Sequence, residues 1–111
     1  MTRTKFDGHG NAQAYLITDI ANDTEYLQSY DTIVIESKYN PVGKYVRHKI
    51  NGLYSMTTRK HIGWYAQYQN LAYSHFKWAY EHNCNIIQDC TSNKIMFESC
   101  ETPEIIDTIK Y

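Results

Sequence analysis

The residues best suited to chemistry in this sequence are basic and aromatic side chains near its middle. Residues 37–80, called here the basic centre, hold seven lysines and arginines and no aspartate or glutamate, although the whole chain has a net charge of −1. Lysine and arginine bind phosphate groups, and aromatic rings stack on unpaired bases. The basic centre therefore supplies candidates for a nucleic-acid groove: Tyr45, Arg47, Lys49, Arg59, Lys60 and Trp64.

Two other interpretations fit the basic centre equally well. It can receive an acidic surface of a protein partner. Alternatively, the flanks, which carry −8 against +7 in the centre, neutralise it within one chain or across a homodimer. The sequence leaves all three interpretations open.

A second candidate surface is an aromatic stripe on a predicted helix. At 100° per residue, the segment 57–82 places six side chains on one stripe: Trp64, Tyr68, Leu71, His75, Trp78 and His82. Large aromatic residues anchor protein interfaces, so Trp64, Tyr68 and Trp78 are candidates for partner binding. The alternative is that the stripe packs beneath a C-terminal hairpin.

Motifs for metal binding and catalysis are missing from the sequence. His75, His82, Cys84 and Cys90 lack the paired spacing of structural zinc sites. No nucleophile elbow, phosphate-binding glycine loop or paired-histidine metalloprotease motif occurs. We predict a binding protein with no catalytic residue, metal or cofactor; a small nuclease is the less favoured alternative, since its carboxylates would have to come from the flanks.

Length and composition predict one domain over residues 1–111 with a single core. No apolar stretch is long enough for a signal peptide or a membrane span, so we expect a cytosolic protein without membrane contact. The odd number of cysteines, three, favours reduced thiols.

The first half of the chain predicts an antiparallel meander. Turn residues separate apolar and β-branched runs, and a tight turn is expected at residues 40–43. The dipeptide Asn51-Gly52 predicts a further two-residue hairpin turn. The expected strands are residues 14–20, 25–29, 31–37 and 44–50.

Alternation in the last of these strands sorts its side chains onto two faces. One set should face water or a ligand: Tyr45, Arg47 and Lys49. The other set should face the core: Val46, His48 and Ile50.

The second half predicts helix and then a hairpin. Thr57 or Thr58 is expected to cap a helix that runs to residue 82. A continuous helix of this length would span about 37 Å, so we expect a break near residues 69–70, with Asn70 capping a second helix. A hairpin of residues 85–89 and 95–98 and a short helix from Pro103 to Lys110 should follow.

The predicted fold class is thus α+β: a single domain in which an antiparallel β-meander packs on one long or broken α-helix, with a C-terminal hairpin and a short helix.

Two segments resemble small bacteriophage-encoded proteins. The segments are YLQSYDTIV at residues 26–34, with its Ser-Tyr-x-Thr element, and YSMTTRKHIGWY at residues 54–65, with its Thr-Thr-x-Lys-His helix start. The likeness covers roughly residues 14–65, about half of the chain. The resemblance implies that Thr57 or Thr58 caps the helix and that His61 lies on its first turns, and it implies no catalytic residue.

The resemblance also implies a biological setting. A phage protein of this kind would be made in the cytoplasm of the host bacterium and would block host machinery stoichiometrically, as anti-CRISPR proteins do. The expected partner is a bacterial CRISPR effector nuclease or another host defence protein, with contact to guide RNA or other nucleic acid as a further expectation. The competing hypothesis is a phage nucleic-acid-binding protein that uses the basic centre.

Overall fold

The fold is built on a meander of eight antiparallel strands that follow one another in chain order. The structure, a computed structural model, describes residues 1–6 and 13–101 and the backbone of Ile105–Ile106. The strands are β1 (Thr2–Lys5), β2 (Ala14–Asp19), β3 (Thr24–Ser29), β4 (Thr32–Asn40), β5 (Tyr45–Ile50), β6 (Cys84–Asp89), β7 (Ile95–Ser99) and β8 (Ile105–Ile106).

Two helices, α1 (Met56–Tyr68) and α2 (Tyr73–Glu81), connect β5 to β6 and cover one face of the sheet. Helix α1 lies over β3 and β4, and α2 lies over β5 and β6. The predicted α+β single domain is confirmed. The four strands predicted in the first half of the chain are also confirmed as β2–β5, with end points that differ by up to three residues, whereas β1 is an additional strand that was not predicted.

The core fills the space between the helices and the sheet. Alternation along the strands sends every second side chain towards the helices, where apolar residues of α1 and α2 meet them. The exception is β4, where the register with β3 shifts at Val34 and both Val34 and Ile35 are buried. The fully buried apolar members from the strands are Ala14, Leu27, Val34, Ile35, Ile86 and Phe97, and those from the helices are Ile62, Tyr65, Ala66, Phe76 and Ala79.

The predicted break in the helix is confirmed, but its capping residues are not the predicted ones. Ser55, rather than Thr57 or Thr58, caps α1, because its Oγ accepts a hydrogen bond from the Thr58 backbone N–H at 3.1 Å. Asn70 does not cap α2. It adopts the left-handed conformation (φ 61°) in the turn after α1.

The N-terminus of α2 has no capping side chain. Ala72 occupies the N-cap position and offers no side-chain acceptor to the first turn. The Nδ1 atom of His75 reaches back and accepts the backbone N–H of Ala72 at 2.9 Å. The asparagine cap expected from the sequence is therefore not present.

The hairpin predicted at Asn51-Gly52 is wrong. A two-residue hairpin turn of this type needs positive φ at both positions, and neither residue adopts it. Instead, Asn51 extends the β4–β5 pairing by donating its backbone N–H to the Val34 carbonyl at 2.8 Å. Leu53 then enters the core, and the chain begins α1.

The C-terminal hairpin is confirmed as β6 and β7. The helix predicted from Pro103 to Lys110 is wrong at Ile105–Ile106, which form β8 and pair with Phe97 and Glu98 of β7. Two apolar β-branched residues in succession favour a strand. The remaining residues of that predicted helix lie outside the described part of the chain.

Candidate functional site

The largest candidate surface is the face of the sheet opposite the helices, called here the open face. In the described part of the chain, no helix or strand packs on it. Strand pairing assigns its aromatic and apolar residues as Tyr15, Ile17, Tyr26, Ile33, Tyr45, Ile87 and Met96. Its charged residues are Arg3, Lys5, Asp19, Glu36, Lys38, Arg47, Lys49, Asp89 and Glu98.

The predicted orientation of β5 is correct. Tyr45, Arg47 and Lys49 lie on the open face, whereas His48 points to the helices and is fully buried. Arg47 lies directly opposite Lys38 on β4, and Lys49 lies directly opposite Glu36. Two cations at facing positions of a sheet repel each other, so the first pair needs a neighbouring anion.

Glu98 supplies that anion. Its carboxylate receives Arg47 Nε at 2.9 Å and Arg47 Nη2 at 3.0 Å, a bidentate geometry. The hydrogen bond from Arg47 holds the pKa of Glu98 below its ordinary value, and the same bond raises the pKa of Arg47. Part of the basic centre is therefore neutralised within the chain by an acid of the C-terminal flank.

Two tyrosines of the open face carry guanidinium groups on their rings. Arg3 lies 4.7 Å from the ring centroid of Tyr15, and Arg47 lies 5.4 Å from that of Tyr45. Tyr26 is half-buried on β3, the third of the eight strands, between Ile17 on β2 and Glu36 on β4. No functional role was predicted for Tyr15 or Tyr26. The alternation of β2, with apolar Ala14 and Leu16 on the other face, could have indicated Tyr15, whereas Tyr26 lies on β3.

The residues predicted to form one binding site lie on opposite faces of the molecule. Tyr45, Arg47 and Lys49 are on the open face. The others are on the helix layer, where α1 carries Arg59, Lys60, Trp64 and Tyr68 and α2 carries Trp78. The sheet separates the two groups, so no single flat surface can contact all of them.

On α1, a smaller aromatic cluster meets the N-terminal segment. Lys60 Nζ lies 5.4 Å from the Trp64 ring, and that ring lies 5.1 Å from His61. Phe6, which follows β1, packs edge-on against Tyr68 at 5.8 Å. Trp64 is therefore half-buried and contributes to holding the N-terminal segment on the helix.

On α2, the aromatic stripe packs on the C-terminal hairpin, as the alternative interpretation expected. Trp78 meets Phe97 of β7 edge-on at 4.8 Å and stacks on His82 at 3.8 Å. His75 also lies 6.4 Å from Phe97. Because Trp78 supports the fold, its substitution would test stability rather than a binding surface.

A network of polar side chains crosses the core beneath α1. Gln88 donates its Nε2–H to the Gln69 carbonyl at 2.7 Å, which turns its Oε1 towards His48 Nε2 at 2.9 Å. His48 must therefore carry its proton on Nε2, and its Nδ1 accepts the Ser37 hydroxyl at 2.7 Å. Burial keeps this imidazole neutral, with a pKa lowered to about 4.

The network continues from Ser37 to the carboxylate of Glu25. The Tyr65 hydroxyl has one proton and two acceptors, Ser37 Oγ at 2.7 Å and Glu25 Oε1 at 3.1 Å. Gln69 Nε2 donates to the same Glu25 oxygen at 2.9 Å. Burial, together with the charge of Glu25, raises the pKa values of both Tyr65 and Tyr68.

This network ends in an open cleft of about 540 Å³ at one end of the sheet. The cleft lies between the β2–β3 connection and the turn that joins α1 to α2. Three carboxylates and two aromatic rings line it: Asp19, Asp23, Glu25, Tyr39 and Tyr68.

The described residues do not form a metal centre. No group of three or more histidine, cysteine, aspartate or glutamate side chains in residues 1–6 and 13–101 is arranged to hold an ion. Cys84, Cys90 and Cys100 are free thiols, and burial raises the pKa of Cys84 and Cys100. Neither helix of the described chain has the length and apolar character needed to cross a membrane.

Comparison with known proteins assigns a family but no activity. No curated protein and no solved structure matches the chain. Residues 2–78 match a family of unknown function (DUF8033), a segment that runs from β1 into α2 and stops before β6. Because this match spans more than half of the sequence, the chain belongs to the DUF8033 family.

Proposed function

We propose that this chain is a non-enzymatic protein that acts by protein–protein contact through the open face of its sheet. The supporting observation is that an uncovered face carries tyrosines, a methionine and arginines, which are the residue types enriched at protein interfaces. A sheet face that only meets water is normally polar. Tyr26, a half-buried aromatic side chain of the open face, is the expected anchor.

The resemblance to small phage proteins supplies the proposed partner. It is a bacterial CRISPR effector nuclease or another host defence protein, which the chain inhibits stoichiometrically in the cytoplasm of the host. The exposed ammonium groups of Lys38 and Lys49 on the open face favour an acidic region on the partner. Such charges would set orientation and association rate more than affinity.

Nucleic acid is the second candidate partner. It is favoured by one observation, the direct apposition of Lys38 and Arg47, which puts two cations side by side. However, Glu36 and Glu98 lie on the same face, and Glu98 already binds Arg47. Interfaces with nucleic acid are much more positively charged than this one, so a protein partner fits the face better.

The test is an inhibition assay with matched tyrosine variants. Purified CRISPR effector is mixed with the chain, and DNA cleavage and complex formation are both measured. Tyr26→Ala removes the proposed anchor, and we expect it to weaken binding and inhibition at least about tenfold. Tyr80→Ala is the control, because Tyr80 is 46% exposed on α2 at the opposite side of the molecule, and it should change neither.

The alternatives give different results in a capture experiment from bacterial lysate, performed with and without nuclease digestion. An effector that stays bound after digestion and is inhibited in the cleavage assay supports the proposal. Nucleic acid alone, lost on digestion and weakened by Lys38→Glu, supports the second candidate. Equal behaviour of Tyr26→Ala and Tyr80→Ala would show that the open face is not the contact surface.

A further inference from the structure

The cleft beside Glu25 has the size and composition of a site for a small charged ligand. Its volume of about 540 Å³ lies within the range of roughly 300–1,000 Å³ that ligand sites occupy. Asp19, Asp23 and Glu25 contribute three carboxylates, and none of the described residues that line the cleft is a lysine, arginine or histidine. The charge of the cleft is therefore not compensated by its own walls.

The carboxylate of Glu25 retains hydrogen-bonding capacity that is directed to the cleft. Its Oε1 accepts from Tyr65 and Gln69, whereas its Oε2 accepts one long hydrogen bond from the Tyr68 hydroxyl at 3.3 Å. A carboxylate has about four acceptor sites, so Oε2 can accept a further donor. All three present donors are neutral, and in the described chain no cation lies within ion-pair distance of Glu25.

Two aromatic rings flank this carboxylate. Tyr39 and Tyr68 both line the cleft and are 37% and 53% exposed, so their rings are accessible to a ligand. Among the described residues, no lysine or arginine lies over the ring of Tyr39 or Tyr68, in contrast to Tyr15 and Tyr45 of the open face. Aromatic rings around a carboxylate are the surroundings in which organic cations are bound.

The arrangement selects an organic cation over a metal ion. A calcium or magnesium site needs several oxygen ligands converging on one point. Asp19, Asp23 and Glu25 are too far apart to form such a group. A ligand with an alkyl chain and an ammonium or guanidinium group can instead contact one carboxylate with its charge and the rings with its carbon atoms.

We propose that this cleft binds an organic cation, an ammonium or guanidinium group on an alkyl chain, with Glu25 as its charge partner and Tyr39 and Tyr68 as its aromatic walls. The cation can be a free polyamine or a lysine or arginine side chain of a partner protein. Glu25, Tyr39 and Tyr68 lie on the helix side of the sheet, whereas Asp19 lies on the same face as Ile17, so the proposed contacts of Glu25 do not depend on the function proposed for the open face.

The experiment is a titration of the isotope-labelled chain with three probes, followed by NMR of the backbone amides. The probes are spermidine, a capped arginine amide and calcium chloride at matched ionic strength. Spermidine represents a free polyamine, and the capped arginine amide represents an arginine side chain of a partner protein. We expect saturable shifts at Glu25, Tyr39 and Gln69 with at least one organic cation and none with calcium.

Variants separate a specific site from general attraction of cations. Glu25→Gln keeps the side-chain shape and should lower affinity at least about tenfold, and Tyr39→Ala should lower it about two- to fivefold. Glu36→Gln removes the same charge on the opposite face of the sheet, the open face, and should leave affinity nearly unchanged. Absence of saturable shifts with both organic cations, equal shifts with calcium, or equal losses in Glu25→Gln and Glu36→Gln would overturn the proposal.

Discussion

Acid should destabilise this protein through the buried imidazole of His48. The side chain is fully buried, and its pKa in the folded state is lowered to about 4 from an ordinary value of 6.5. Between these two values the unfolded chain binds a proton at this position that the folded chain does not bind. The free energy of unfolding therefore falls as the pH falls from 6.5 towards 4.

The magnitude follows from the difference in pKa. Each pH unit in this window costs about 1.4 kcal/mol, so lowering the pH from 7 to 5 should remove about 2 kcal/mol through His48 alone. That amount is a large fraction of the stability of a typical small domain. Most carboxylates stay ionised at pH 5, so they contribute little to the loss of stability between pH 7 and pH 5.

The assay is urea denaturation of the wild type and of His48→Gln at several pH values between 7 and 5. Glutamine can accept the Ser37 hydroxyl with its oxygen and donate to Gln88 with its nitrogen, but it does not titrate. We expect the variant to be less stable at pH 7 and to lose about 2 kcal/mol less than the wild type on acidification. Identical pH dependence of the two proteins would refute the assignment of a buried neutral imidazole, because contributions from other histidines, such as His75, cancel in the comparison.

Two substitutions test the helix layer. Ser55→Ala removes the hydroxyl that caps α1 and should lower the free energy of unfolding, measured by urea denaturation, by about 1 kcal/mol. Ser55→Asp should retain the cap. Equal losses of stability in both variants would contradict the capping role of Ser55. Phe76→Ala should lower the free energy of unfolding by about 3–5 kcal/mol, because the Phe76 ring is fully buried against His48 and Tyr65. Tyr80→Ala, on the exposed side of the same helix, should lower it by less than about 1 kcal/mol. Similar losses in the two variants would show that α2 packs differently.

Local patterns were sufficient to predict most of the elements. The β-branched run of β4 and the alternation of β5 identify strands without any tertiary information. The hairpin prediction at Asn51-Gly52 was wrong because such a turn forms only when a strand follows it. The next apolar residue, Leu53, is buried in the core instead. The cap of α1 was misplaced because Ser55, Thr57 and Thr58 are all good capping residues.

The candidate sites could be predicted only where one element carries them. Tyr45, Arg47 and Lys49 share a strand, so alternation placed them together correctly. Grouping them with Trp64 required knowledge of which sheet face α1 covers, and the sequence does not contain it. Glu25 and Tyr39 meet Tyr68 only after β3, β4 and α1 have packed, so no spacing in the sequence indicates their cleft.

The order of the strands also has a consequence for how the chain folds. Neighbouring strands in β2–β5 are joined by connections of a few residues, so each can pair with the preceding strand with little loss of chain entropy. The pairing of β5 with β6 is different, because residues 51–83, which include both helices, must be looped out before the two strands can meet. Among adjacent strands, β5 and β6 are separated by the largest number of residues in the chain. Contacts between residues that are far apart in sequence slow folding. Formation of the two helices shortens the segment between β5 and β6 and so brings strands β1–β5 and strands β6–β8 within reach of each other.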